Sequence, residues 1–128
     1  MDPLLDTHLL LWAAADSPRL SAKARELIAE PAHRLWFSAA SVWEVAIKAS
    51  LGRPDSAVDP HHLRRGLIEG GYEELPVRAE HAAAVVDLEA HHSDPFDRIL
   101  VAQARLEDLL LLTSDRVLVA YRSPVELV

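Results

Sequence analysis

The sequence predicts an α/β domain with a mostly parallel central sheet and helices on both of its faces. Half of the 128 residues are hydrophobic, which indicates a packed core. Short apolar segments alternate with segments of helical periodicity, as in parallel α/β folds. The run Leu109–Thr113 is continuously apolar, which is typical of a buried parallel strand. The length suits one domain with a substantial core, so residues 1–128 are predicted to form a single domain.

The first half of the chain predicts two short strands and three helices. The strands are Pro3–Leu5, which ends at Asp6, and the aromatic-rich Arg34–Ser38. The helices are Thr7–Ala15, Ser21–Glu30 and Ser41–Ser50. Their stop signals are Asp16-Ser17-Pro18, Pro31 and Gly52-Arg53-Pro54.

The second half continues the pattern with one interruption. Helices are predicted at Pro60–Glu69, Ala79–Ala90 and Pro95–Glu107, and strands at Glu73–Val77, Leu109–Thr113 and within Val119–Val128. The helix at 60–69 makes the alternation imperfect, because it follows another helix without a strand between them. The pattern alone leaves the strand order open.

Composition excludes several function classes. The chain has no cysteine, which excludes a disulfide scaffold, a thiolate nucleophile and a Cys-ligated zinc site. The start MDPLLDTHLLLW lacks the positive region of a signal peptide, and no apolar run approaches the ~18–20 residues of a membrane helix. The expected location is therefore the cytoplasm, with no membrane association. The net charge of −7 argues against nucleic-acid binding unless bound cations cancel clustered carboxylates.

Carboxylates occur in four places where a parallel α/β sheet would bring them together: Asp6, Glu44, Asp97 and Asp115. Each follows a predicted strand or begins the helix after one. Each also has a local explanation: Asp6 and Asp115 as N-caps, Ser41–Glu44 as a capping box, and Asp97 as an acid in a first helical turn. Ligands of open α/β sheets bind at the carboxyl ends of the strands, so we expect the four side chains to converge there.

Convergence of these acids predicts a bound cation. Two carboxylates ~5 Å apart repel by about 3 kcal/mol at an effective dielectric constant near 20. Such a cluster needs a compensating cation or raised pKa values. Oxygen ligands favour Mg²⁺ or Mn²⁺ over zinc. A site of this kind suits phosphodiester hydrolysis by a metal-activated water, for which no protein nucleophile is needed.

The stretch HHSDPFDRILVAQA (His91–Ala104) contains two acids whose roles differ. Asp94 precedes Pro95, and a residue before proline is pushed out of helical conformation. Asp94 is therefore the natural N-cap, and Asp97 projects from the first turn. We assign Asp97 to the metal and Asp94 to capping.

Four stretches together resemble the PIN-domain family of metal-dependent ribonucleases, and especially the VapC-type toxins of toxin–antitoxin pairs. They are LLDTHLLLW (Leu4–Trp12), SAASVWEVAIK (Ser38–Lys48), HHSDPFDRILVAQA (His91–Ala104) and LLTSD (Leu111–Asp115), in the family's order. The resemblance implies a three-layer α/β/α sandwich, a Mg²⁺ or Mn²⁺ site, endonucleolytic cleavage of RNA and a cognate antitoxin as partner. Asp6, Glu44, Asp97 and Asp115 match the family's four acids, with Thr113 as the hydroxyl of the T-x-D element.

Other polar residues near these motifs keep two interpretations each. Thr7 either positions a metal-bound water or simply occupies the first helical turn, and Ser38 either touches the site or only closes a strand. A lone histidine such as His92 is more often structural than in contact with substrate. We expect Arg98 and Arg116 to form ion pairs at the rim rather than to bind RNA phosphates. We expect Trp12, Trp36 and Trp43 to anchor the core or an interface rather than to stack on bases.

The apolar first helices, which include HLLLWAAA, carry more hydrophobic surface than a small monomer needs. We expect part of this surface to form a homodimer or antitoxin interface.

Two other functions remain as alternatives. A phosphoacceptor receiver domain has a similar length and acidic pocket, but it needs a lysine after its last strand. The lysines here are Lys23 and Lys48, and neither is in that place. A non-catalytic PIN-like binding module is the second alternative, although all four acids are present.

Overall fold

The computed structural model describes residues 1–52 and 58–128. The predicted stop at Arg53-Pro54 lies outside these residues. The described strands are β1 (Pro3–Leu5), β2 (Trp36–Ser38), β3 (Glu73–Leu75), β4 (Leu110–Thr113) and β5 (Val125–Leu127). The helices are α1 (Thr7–Ala14), α2 (Ala22–Ala29), α3 (Ala39–Ser50), α4 (Pro60–Glu69), α5 (Ala79–Ala84) and α6 (Pro95–Glu107). Short 3₁₀ turns follow at Val85–Asp87 and Leu118–Tyr121.

The five described strands form one sheet in the order β3-β2-β1-β4-β5, and every neighbouring pair is parallel. The central pairing joins β1 to β4, with Leu4 opposite Leu111. The predicted parallel sheet is therefore confirmed.

Alternating strand residues divide the core between the two faces of the sheet. Leu4 and Leu111 pack on one face against α6, and Leu5 and Leu112 pack on the other against α1 and α4. Both pairs are fully buried. This two-residue period places helices on both sides of the sheet, which gives the predicted three-layer α/β/α sandwich.

Several predicted boundaries differ from the structure. Helix α3 begins at Ala39 rather than Ser41, because Ser38 is the N-cap and its hydroxyl accepts from the Ala40 amide. The predicted capping box between Ser41 and Glu44 is therefore wrong, since both residues lie inside the helix. The predicted helix Ala79–Ala90 ends as an α-helix at Ala84 and tightens into the 3₁₀ turn.

Several strands are also shorter than predicted. The strand predicted at Arg34–Ser38 begins at Trp36, and that predicted at Glu73–Val77 ends at Leu75. The tail contributes a strand only at Val125–Leu127. Helices α4 and α6 have the predicted bounds, and each starts with an Asp-Pro pair whose aspartate caps the helix.

The strand order places the carboxyl ends of β1 and β4 side by side. From β1 the chain proceeds to β2 and β3 on one side, and β4 then pairs with β1 on the other. This reversal is the position at which open α/β sheets bind ligands. None of the helices in the described ranges is long and apolar enough to cross a membrane.

Candidate active site

Asp6 directly follows the central strand β1 and is held rigidly. It is 3% exposed. Its Oδ1 accepts the Leu9 amide at 2.9 Å, as the N-cap of α1, and its Oδ2 accepts the Thr113 hydroxyl at 2.6 Å. Burial raises the pKa of Asp6, with a further contribution from the charge of Glu44, against the opposing effect of these hydrogen bonds. Asp6 therefore serves as a cap and also presents a carboxylate at the sheet edge.

Glu44 approaches the same edge from α3 and is 5% exposed. Its Oε1 accepts the Thr7 hydroxyl at 2.8 Å, and its Oε2 lies 2.8 Å from the Lys48 ammonium one helical turn later. The Thr7 hydroxyl also lies 2.9 Å from Ser41 Oγ. Since Thr7 has one proton and gives it to the carboxylate, Ser41 is the donor in that second bond. Both oxygens of Glu44 are therefore fixed in direction.

Asp97 projects from the first turn of α6, as predicted, and its side chain is 20% exposed. Burial raises its pKa to about 7, and the negative charges of Asp94, Asp6 and Glu44 add to this effect. His92 acts in the opposite direction. Only the smaller part of this rise reflects convergence of the acids, because the charges of Asp6 and Glu44 act on Asp97 from elements distant in sequence.

His92 joins Asp97 to Asp115. Its Nε2 lies 3.0 Å from Asp115 Oδ2 and 3.3 Å from Asp97 Oδ2. Its Nδ1 accepts the Asp94 amide at 3.0 Å, so the ring proton is on Nε2 and is donated to the carboxylates. The backbone at the start of α6 therefore fixes the tautomer of this ring.

Asp115 follows β4 by two residues, as the sequence indicates. Burial alone would raise its pKa, but hydrogen bonds from the Val117 amide and from His92 outweigh it and lower the pKa. The Asp115 amide donates to Thr113 Oγ1 at 3.0 Å. Thr113 therefore connects Asp115 to Asp6, because its hydroxyl proton is donated to Asp6.

Two of the residues predicted to support the site, Asp94 and Ser38, are helix N-caps. Asp94 is the N-cap of α6, with Oδ1 accepting the Phe96 amide at 2.8 Å. Ser38 is fully buried and caps α3, and its hydroxyl also donates to Gln103. Asp94 influences Asp97 through its charge, whereas Ser38 makes no hydrogen bond to the four acids.

Sequence reasoning missed Lys48 and Gln103, and the role it gave Arg98 was wrong. Lys48 could have been found from its spacing of four residues after Glu44, and Gln103 as an amide on the apolar face of α6. The Arg98 guanidinium forms no ion pair with the residues that the structure describes; it donates to the carbonyls of Val85, Glu89 and His92. It also donates to the Tyr121 hydroxyl, and so holds the segment before α6 in place.

The donor set fits a divalent cation. Asp97 and Asp115 offer carboxylate oxygens within 4.8 Å of each other, in a group that also contains the His92 ring. Asp6 and Glu44 add buried carboxylates whose charges already act on Asp97. Hard oxygen donors in this number suit Mg²⁺ or Mn²⁺. The His92 hydrogen bond to the Asp94 amide makes the ring a donor to the carboxylates rather than a metal ligand.

Comparison with known proteins identifies the family. The model of the PIN domain family matches residues 4–123. The chain belongs to the PIN-domain family. It is 33% identical over 122 residues to Ribonuclease VapC22 of Mycobacterium tuberculosis, and the match covers 94% of this chain and 92% of that one.

Solved structures share the PIN fold at low identity. VapBC2 from Rickettsia felis, bound to a DNA fragment from its promoter, superposes with a TM-score of 0.67 at 15% identity, covering 100% of this chain and 98% of the other. A toxin–antitoxin complex from Klebsiella pneumoniae gives 0.67 at 20% identity, covering 98% and 96%. The PIN-domain expectation from the four sequence stretches is therefore confirmed.

Proposed function

We propose that this chain is a Mg²⁺- or Mn²⁺-dependent endoribonuclease of the VapC type. The observation that carries the proposal is the convergence of buried acids at the switch point of a PIN-family sheet, where Asp97 has a pKa of about 7. A relative named as a ribonuclease supports the same activity. The PIN-domain match over residues 4–123 includes all four acids, which makes shared chemistry the simplest account.

In this proposal the carboxylates of Asp6, Glu44, Asp97 and Asp115 would hold the cation. A cation held there would supply an activated water and would neutralise charge on the scissile phosphate. Thr113 orients Asp6, and Thr7 orients Glu44, through the short hydrogen bonds described above. His92 holds Asp97 and Asp115 in a fixed relation by donating its Nε2 proton between them. Such supporting bonds keep ligands in position before the cation binds.

The test is cleavage of total RNA with and without Mn²⁺, read by mapping the new ends. We expect discrete cuts that require the metal and disappear with a chelator. Asp97→Asn keeps the shape of the side chain and should abolish the cuts while the protein stays folded. Cleavage by the Asp97→Asn protein at the wild-type rate would contradict the site assignment.

The partners we propose are an RNA substrate and a cognate antitoxin, with activity in the cytoplasm. Complexes of two relatives with their partners support the antitoxin, since one is a toxin–antitoxin complex and the other is a VapBC pair. In the absence of the antitoxin we expect the nuclease to be active.

We also propose a homodimer. Leu9 and Leu10 of α1 are buried in the core, whereas Leu11 and Trp12 are half-buried, so part of the surface that the sequence indicates stays available for a partner. The surface that we propose for the homodimer is an apolar cavity of about 510 Å³ between α3, α5 and α6, beside Trp43, which is 63% exposed. Sedimentation should give a dimer for the wild type and a monomer for Trp43→Glu. A monomeric wild type would contradict the dimer.

A further inference from the structure

A buried polar contact joins α3 to α6, the two helices that carry Glu44 and Asp97. Ser38 precedes the first residue of α3, and Gln103 lies within α6. The Ser38 hydroxyl donates to Gln103 Oε1 and accepts the Ala40 amide at 3.0 Å, so it uses both its proton and a lone pair. Both side chains are fully buried. The contact therefore connects the two helices inside the core.

The amide of Gln103 has one favourable orientation in these surroundings. Its Nε2 donates to the Pro76 carbonyl at 3.2 Å, in the connection between β3 and α5. The same nitrogen lies 3.4 Å from His81 Nδ1, which also accepts the Arg78 amide at 2.9 Å. Exchange of the amide oxygen and nitrogen would set two oxygens against each other at Pro76. Gln103 therefore holds α3, α6 and the β3–α5 connection in one arrangement.

Apolar packing between α3 and α6 is incomplete near the acids. The cavity of about 510 Å³ described above lies between the N-terminal parts of the two helices. Trp43 and Phe96 meet there edge to face, with ring centroids 5.2 Å apart, but Trp43 is 63% exposed. Apolar contacts are non-directional, whereas a hydrogen bond prefers one distance and direction. The Ser38–Gln103 bond is thus better suited than this packing to fix how the helices lie.

We propose that Ser38 and Gln103 are positioning residues for the cation site, because their hydrogen bond sets the separation of α3 and α6 and hence that of the Glu44 and Asp97 carboxylates. Without a cation these carboxylates repel, since the charge of Glu44 acts on Asp97. The hydrogen bond opposes separation of the helices. Neither residue is hydrogen-bonded to the four acids, so both act through the helices.

The competing interpretation is a polar pair that only stabilises the core. Loss of one partner leaves a buried polar group without a hydrogen bond, whereas exchange of both partners for apolar side chains can be nearly neutral. Stability should therefore recover in part when both residues are exchanged. Cation affinity should not recover, because the directional link between the helices is still missing. This difference separates positioning from stabilisation.

The experiment compares Ser38→Ala, Gln103→Met and the double variant with the wild type, by calorimetric titration with Mn²⁺ and by urea unfolding with a chelator. Each single variant should bind Mn²⁺ about tenfold more weakly, the lower end of the effect of groups that orient metal ligands. The double variant should bind no more tightly than either single one. Its loss of stability should be smaller than the sum of the two single losses.

A second measurement tests the separation of the helices without any metal. Because the chain has no cysteine, Ser50→Cys on α3 and Leu106→Cys on α6 provide two unique sites for spin labels. Both positions are exposed. Double electron–electron resonance with a chelator present should give a narrow distance distribution in the labelled parent and a broader or longer one after Gln103→Met.

The matched control is Ser21→Ala, which removes the N-cap of α2. The Ser21 hydroxyl accepts the Ala24 amide at 3.0 Å, as Ser38 accepts that of Ala40, but it lies on a helix that carries none of the four acids. This variant should lose stability but keep the Mn²⁺ affinity and the label distances of its parent. If Gln103→Met does not fold, the double variant decides, because it leaves no hydroxyl without a partner.

Two results would overturn the proposal: a folded Gln103→Met protein with the label distances of its parent, or one that binds Mn²⁺ as tightly as the wild type does. The consequence for Mn²⁺ binding rests on the proposed function, whereas the separation of the helices does not. Failure of the proposed function is therefore distinct. It appears as a wild type that binds no Mn²⁺ or cleaves no RNA with it, and the label distances then still decide whether the pair positions the helices.

Discussion

Asp97 links the chemistry of the site to the stability of the fold. Burial, and then the neighbouring acids, raise its pKa from 3.8 to about 7 in the folded chain. In the unfolded chain the group loses its proton near its ordinary pKa. Stability that depends on the protonated carboxyl is therefore present below that ordinary pKa and is lost as the pH rises through about 7.

Asp97→Asn should consequently stabilise the metal-free protein at high pH. We expect a gain of about 1–2 kcal/mol at pH 8, after allowance for solvent screening of a partly exposed group, and little change near pH 4. Urea unfolding in the presence of a chelator at the two pH values measures this. Equal stability of the wild type and Asp97→Asn at pH 8 would contradict the raised pKa of Asp97.

Thr113 is a second residue whose effect should exceed its size, because its hydroxyl serves two acids. It donates to Asp6 Oδ2 and accepts from the Asp115 amide, and it is fully buried. Thr113→Val preserves the shape but removes both bonds. Loss of such a supporting group should lower cleavage or metal affinity about 10–100-fold.

The matched control for that change is Thr113→Ser, which keeps the hydroxyl and should retain most of the cleavage. Rates of Mn²⁺-dependent RNA cleavage and Mn²⁺ dissociation constants are the measurements. A Thr113→Val protein with wild-type values for both would show that Asp6 is positioned without the threonine.

At the scale of elements, the start of α6 both caps a helix and places a ligand. Asp94 caps the helix, and Pro95 occupies its first position. Helix α4 starts in the same way, with Asp59 accepting the His61 amide and Pro60 at the first position. The two helices therefore provide the same cap in two places, one at the site and one away from it.

Asp94→Ala and Asp59→Ala should each destabilise the protein by about 1 kcal/mol, the usual cost of losing such a cap. Only Asp94→Ala should also lower RNA cleavage, because only α6 carries Asp97. Denaturant unfolding and cleavage rates compare the two variants. Equal cleavage rates in both proteins would show that the Asp94 cap does not position Asp97.

The helices show what local sequence can predict. Helices α4 and α6 have their predicted bounds because an Asp-Pro start signal is decided within a few residues. The start of α3 was predicted wrongly at Ser41, since Ser38 and Ser41 can both cap a helix. Ser38 is the cap in the structure, and it is held there by Gln103, which lies 65 positions away in the chain. A contact of that range leaves no local signal.

The site residues likewise divide into those that local sequence predicts and those that depend on contacts between distant parts of the chain. The positions of the four acids could be predicted from local signals, since Asp6 and Asp115 come shortly after strands, Asp97 lies in the first turn of α6 and Glu44 lies in the helix after β2. The bridge from His92 to Asp97 and Asp115 could not, since it depends on how the segment before α6 folds back under Arg98. The shared role of Thr113 likewise depends on the pairing of β1 with β4.

At the scale of the whole molecule, strand order is what gathers the acids. The alternation of elements predicts a parallel sheet but permits many orders. The order β3-β2-β1-β4-β5 places Asp6 beside the end of β4 and brings α3 and α6 to the same edge. The mutual repulsion of the gathered acids is the clearest consequence at this scale, because it must be offset by protonation of Asp97 or by a bound cation.

The central claim is that these acids form a divalent cation site, and calorimetric titration with Mn²⁺ at pH 7.5 tests it most directly. The wild type should bind Mn²⁺ and release protons, because binding ionises the fraction of Asp97 that is still protonated. Asp97→Asn should bind at least tenfold more weakly, and Asp59→Ala should bind as the wild type does. Absence of Mn²⁺ binding by the folded wild type, or unchanged binding by Asp97→Asn, would contradict the account.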